Sequence, residues 1–129
     1  MASELRVNTL KDAAGNNSIA TSFVAGGSAK AWANYSGAGT SFRDSFNCAS
    51  AVDNGTGDYS VNYTSSLVND DYSVSVGIRY DSGANAAYNA RSTELKTFAT
   101  GSIRYVGQIG GGSANDYDHT CPQIHGDLA

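Results

Sequence analysis

The chain has 129 residues, a net charge of −4, a pI near 4.8 and only 16% charged residues. This suits one domain and argues against nucleic acid as a partner, because phosphate-backbone affinity needs clustered Lys and Arg and none is present. No run approaches the ~20 apolar residues that cross a bilayer, so membrane insertion is not expected, and Met1-Ala2-Ser3-Glu4 lacks a basic-then-apolar leader, so synthesis in a cytoplasm is expected.

Core-forming material is sparse. Leu, Ile, Val and Phe supply 22 of the 129 residues, below the ~20% at which globular composition becomes thin. Eight Tyr and one Trp add apolar bulk. A thin core is commonly remedied by cross-links or by partners. Two Cys allow at most one internal bridge, so an oligomer is expected. Fifteen Gly and a single Pro favour short strands and tight turns over long helices.

In chain order, residues 4–10 alternate and predict a strand, with Leu5, Val7 and Thr9 on one side. A turn-rich stretch follows, then a mixed piece over 19–28. Residues 1–28 therefore read as an extended N-terminal arm and 29–129 as a β-sandwich knob. Residues 30–35 carry Trp32 and Tyr35 and predict a strand, which Gly37 and Gly39 end. Residues 41–48 put Phe42, Asp44, Phe46 and Cys48 on one face, where Asp44 does not belong, so a bulge or another register is open. Asn54-Gly55 predicts a tight hairpin of type I′, whose central residues both need positive φ. The strand after it groups Tyr59, Val61 and Tyr63. Residues 72–80 alternate most cleanly, with Tyr72, Val74, Val76, Ile78 and Tyr80 on one face.

Residues 81–89 read as a polar loop, 91–105 as strand around Gly101, and 107–118 as a second loop. Residues 119–124 read as a short strand that Pro122 confines to a sheet edge. Six to seven short strands at this spacing predict an all-β, antiparallel sandwich-like fold.

Catalytic motifs are missing: there is no Gly-x-Ser-x-Gly and no Gly-x-x-x-x-Gly-Lys. Asp70 and Asp71 are adjacent and on a strand would face opposite sides. No enzyme and no cofactor are expected. Asp116-Tyr117-Asp118-His119 with His125 holds metal-ligating types, but two His one residue apart on a strand are lacking, so no metal is expected. Cys48 and Cys121 pair or stay free as far as the residues decide. The two loops combine Tyr with small polar residues, the chemistry of adaptable binding surfaces. Tyr88, Asn89, Tyr117 and Asp118 are the receptor-binding candidates, weighed against the plainer reading in which the tyrosines fill the core and the rest form turns.

The order Ala31-Trp32-Ala33-Asn34-Tyr35-Ser36-Gly37, then Ser41-Phe42-Arg43-Asp44-Ser45-Phe46-Asn47, then Asp53-Asn54-Gly55-Thr56-Gly57-Asp58-Tyr59 resembles the distal module of bacteriophage tail-fibre and related virion proteins. Leu5-Arg6-Val7-Asn8-Thr9-Leu10-Lys11-Asp12 resembles their lead-in. The resemblance spans roughly residues 4–80 and departs from the family at Cys48-Ala49 and over 120–125. It implies a homotrimeric knob outside a virion with no catalytic residues, its arm contacting other virion proteins and its tip contacting host-surface glycan. The alternatives are a capsid decoration or head-fibre protein with a mainly structural role and, more remotely, a depolymerase.

Overall fold

The computed structural model describes residues 3–80, 91–110 and 112–129. The fold is all-β, with one short helix among the described residues. The strands are β1 (Thr9–Lys11), β2 (Ser18–Ala20), β3 (Ala31–Tyr35), β4 (Phe42–Phe46), β5 (Cys48–Gly55), β6 (Asp58–Tyr63), β7 (Ser73–Arg79), β8 (Arg91–Ala99), β9 (Ser102–Ile109), β10 (Ser113–Ala114) and β11 (His119–His125); helix α1 (Thr21–Gly27) follows β2. One antiparallel sheet has the order β4-β3-β11-β7. In the other, β5 pairs β6 and β6 pairs β9, while β9 also pairs β8 and the short β10.

The two sheets pack face to face. Ala31, Ala33, Tyr35 and Ile124 from the first meet Tyr59, Val61, Tyr63, Ile103 and Tyr105 from the second in one buried cluster. Tyrosine supplies the bulk that the aliphatic count lacks: Tyr35, Tyr59, Tyr63, Tyr72, Tyr105 and Tyr117 are all buried. A buried phenol usually finds a partner for its hydroxyl, and all of these but Tyr63 do. The Tyr35 and Tyr105 hydroxyls bond each other across the sandwich. Tyr72 donates to the carbonyls of Ala99 and Ser102, Tyr59 to the Asp116 carboxylate, and Tyr117 to the Gln108 carbonyl. The rings of Tyr35 and Tyr59 meet edge to face at 5.9 Å.

Residues 41–48 form not one strand but two, one in each sheet. The pairing of β3 with β4 shifts between Asn34 and Tyr35. That bulge lets Phe42 pack inward on Tyr35 while Asp44 and Phe46, opposite Asn34 and Trp32, lie on the outer face. Asn47 then turns the chain from one sheet into the other at φ 52°, a left-handed conformation that Asn tolerates better than most residues. Its side chain donates to the carbonyls of Lys30 and Ser65 and accepts from the Ser65 N–H. Replacing Asn47 by Ala is expected to cost about 3 kcal/mol in chemical denaturation, from lost hydrogen bonds and a strained φ. Asn47→Gly, which relieves the strain alone, should cost roughly half as much. Equal losses would show that backbone conformation contributes nothing.

Three further expectations are corrected. The β5–β6 hairpin falls within residues 53–58, but its loop is Thr56-Gly57 rather than Asn54-Gly55, which end β5, and of the loop residues only Gly57 has positive φ (69°), so it is not type I′. A Cβ at Gly57 would come within 2.6 Å of the Asn115 nitrogen, so packing against residue 115 sets this turn. Pro122 lies in β11, an interior strand rather than an edge. Pairing toward β7 runs unbroken, whereas toward β3 it lapses at Cys121 and Pro122; the missing donor falls in that lapse. Residues 3–28 are not a single extended arm. β1 and β2 form a hairpin closed by the Asp12 carboxylate, which accepts from the Asn16 and Asn17 backbone and the Asn17 side chain, and α1 buries no residue.

Thr120 on β11 is fully buried and its hydroxyl has no hydrogen-bond partner. Thr120→Val removes a buried polar atom at nearly constant shape, so it is expected to raise stability by up to about 1 kcal/mol in thermal melts. A loss above that size would reveal a bond that the hydroxyl makes.

Candidate functional site

Of the four receptor-binding candidates, Tyr88 and Asn89 lie outside the described residues. Tyr117 is 1% exposed, so its ring belongs to the core. It packs edge to face on Tyr80 at 6.3 Å and lies so close to Gly107 that a Cβ there would meet the ring at 2.6 Å. Asp118 is half-buried, and its carbonyl accepts from the Arg43 guanidinium at 2.8 Å. Residues 115–118 thus close one end of the sandwich from within. The Asp116 Oδ1 accepts both the Gly57 N–H at 2.7 Å and the Tyr59 hydroxyl at 2.8 Å. The Gly37 N–H donates to the Tyr117 carbonyl. The structure therefore brings Tyr117 and Asp118 together as parts of a scaffold, with Asp116 pinning it.

His119 and His125 sit at opposite ends of β11. Among the described residues no three His, Cys, Asp or Glu side chains converge on a point that could hold a metal ion. The two cysteines are free. Cys48 packs against the core, while Cys121 alternates with buried Thr120 and Pro122 and so faces outward from β11. They stand in different sheets, Cys48 on β5 facing the core and Cys121 on β11 facing away from it. Burial pushes the Cys48 thiol up to about 11 and raises that of Cys121, so both stay protonated at neutral pH, which disfavours the thiolate that reacts.

The outer face of the β4-β3-β11-β7 sheet collects a different set. Trp32 is directly opposite Phe46 on one side and Gln123 on the other, and Gln123 is opposite Ser75. In the next row Asn34 is opposite Asp44. Phe46 is 52% exposed, and Trp32 and Asn34 are half-buried. The Asn34 side-chain oxygen lies 3.3 Å from the His119 ring nitrogen Nδ1. Sequence reading missed this face because Phe46 was grouped with Phe42; only the bulge separates them. The available signal was the odd spacing of Trp32 and Tyr35 on one strand, which sends the two rings to opposite sides.

A second apolar surface lies on the N-terminal segment. Leu5 (80%) and Phe23 (73%) are exposed, as are Leu10, Ile19 and Val24. A shallow hollow beside its turn is lined by Leu10, Asp12, Asn17 and Ile19 and carries no catalytic grouping. Comparison with protein-family models, with curated proteins and with solved structures finds no match for this chain.

Proposed function

We propose that this chain is an exterior virion protein of the tail-fibre type, a homotrimer that attaches through residues 1–28 and uses its sandwich to bind host-surface glycan, without catalysis. The observation that carries the reading is the division of its surface. The N-terminal hairpin and α1 leave Leu5, Leu10, Ile19 and Phe23 exposed, a concentration of large apolar side chains that marks a contact surface. The sandwich closes its own core around the tyrosines and turns mainly polar strands outward. The N-terminal segment thus offers a face to cover, while the sandwich, whose own exposed apolar side chains are Phe46, Val52, Val68, Leu95 and Leu128, keeps its outer strands free for contact. The order of Trp32, Phe42, Phe46 and the Asn54–Tyr59 turn, with its likeness to fibre modules, supports the same assignment.

Purified protein should compete with whole phage for adsorption to host cells, and light scattering should give three chains per particle. Replacing Leu10 and Phe23 by Ser should dissociate the trimer and leave the β-sheet circular dichroism unchanged. Absence of competition at high excess argues for a capsid-decoration role, which imaging of the virion would locate directly; a monodisperse monomer removes the trimer.

A further inference from the structure

We propose that the outer face of the β4-β3-β11-β7 sheet is a carbohydrate platform, on which a neutral sugar ring stacks over Trp32 and Phe46 while Asn34, Asp44 and Gln123 bond its hydroxyls. The inference rests on the glycan reading above and gives that reading a site. Trp32 and Phe46 are cross-strand partners, so their Cβ atoms are about 5 Å apart. Together they form an apolar strip about two strands, or 10 Å, wide. Sugar rings offer one such apolar C–H face and a rim of hydroxyls. The strip is bounded by groups suited to that rim: Gln123 and Ser75 continue its own row, and Asn34 and Asp44 make the next row. Amides and a carboxylate can both accept from and, for the amides, donate to hydroxyls.

The size of the strip selects the occupant. Two aromatic side chains bury at most about 250 Å² each, well short of the ~800 Å² per partner that a stable protein interface needs. A second copy of the chain is better matched by the larger apolar set on the N-terminal segment. The Asp44 carboxylate, exposed beside the strip, disfavours a phosphate-bearing ligand. Trp32, Asn34 and Gln123 stand on the interior strands β3 and β11, whose inward residues Ala31, Ala33, Thr120 and Ile124 are buried, which limits the ordering entropy lost there on binding; Phe46 and Asp44 stand on the edge strand β4.

Trp32 is the chain's single tryptophan, so its fluorescence reports on this face alone. The full chain would be screened on an array of defined bacterial-surface oligosaccharides, and those bound would be titrated in solution. The expected result is a saturable change in Trp32 emission, with affinity lowered roughly 10-fold in Phe46→Ala, the loss expected when one ring's apolar contact is removed, and lowered also in Gln123→Ala. Phe46 is half exposed, so its truncation should leave the melting temperature nearly unchanged; Gln123→Ala supplies an independent second variant. Sugar binding with unaltered Trp32 emission and full affinity in Phe46→Ala overturns the platform and leaves the glycan reading standing. No binding to any sugar, together with no competition for phage adsorption, overturns both. A Trp32 emission shift that follows protein concentration without sugar, lost with the oligomer in Phe46→Ala, overturns the platform in favour of a copy–copy contact.

Discussion

Raising the pH above about 10 is expected to unfold the protein in one cooperative step. Burial holds the phenols of Tyr35, Tyr59, Tyr63 and Tyr105 neutral well beyond the 10.0 at which an exposed tyrosine ionises. At Tyr59 the Asp116 carboxylate adds to this, since a phenolate there would face an anion. The folded state therefore keeps protons that the unfolded chain releases. Stability is intact below pH 10 and declines as the pH climbs past it. Each retained proton contributes about 1.4 kcal/mol per pH unit, so four such groups remove on the order of 5 kcal/mol per unit. A domain of ordinary stability, roughly 5–15 kcal/mol, should fail within one to three units. Tyrosinate absorbance and loss of β-sheet circular dichroism should then rise together. A gradual titration centred on pH 10 with an unchanged dichroism spectrum would show that the tyrosine core is open to solvent.

Asp116→Ala should be the most damaging single change at the closed end of the sandwich. It strips the acceptor from the Gly57 N–H and the Tyr59 hydroxyl together. Each buried donor left without a partner costs about 1–3 kcal/mol, so a loss of about 3–5 kcal/mol in urea denaturation is expected. Asp116→Asn retains an acceptor oxygen and should lose about half as much. Amide exchange at Gly57 should accelerate in Asp116→Ala, since its N–H is then unbonded. An Ala variant within experimental error of the parent would show that the 115–118 segment is held by other contacts, such as Gly37 to the Tyr117 carbonyl.

The two experiments probe neighbouring parts of one network. Tyr35, Tyr59 and Tyr105 share ring contacts or hydroxyl bonds, and Asp116 ends the chain of contacts. Combining Asp116→Ala with alkaline titration should lower the pH of unfolding, because the variant begins with less stability to lose.

Much of the all-β character was legible in the residues alone. Period-two alternation in Tyr59-Val61-Tyr63 and in Val74-Val76-Ile78 is a local property of an extended chain, and both stretches are strands with those side chains toward the core. The position of the β5–β6 hairpin was legible for the same reason, since Gly55 and Gly57 punctuate the chain. What alternation cannot say is which face a strand turns inward after an irregularity. The bulge opposite Asn34 and Tyr35 reverses the sense of β4, and a bulge is a relation between two strands rather than a feature of one. Pro122 in an interior strand, the single positive φ of the hairpin loop and the burial of Tyr117 have a similar origin. Each depends on a neighbour distant in the chain: β3 for Pro122, Asn115 for Gly57, and Gly107 for Tyr117. The amino-acid order determined the strands and turns because these need only short-range sterics. The tertiary structure alone decided core from surface where an irregularity or a distant neighbour intervenes, as at Phe46, Pro122 and Tyr117, because burial there is a property of the pair of sheets and not of either one.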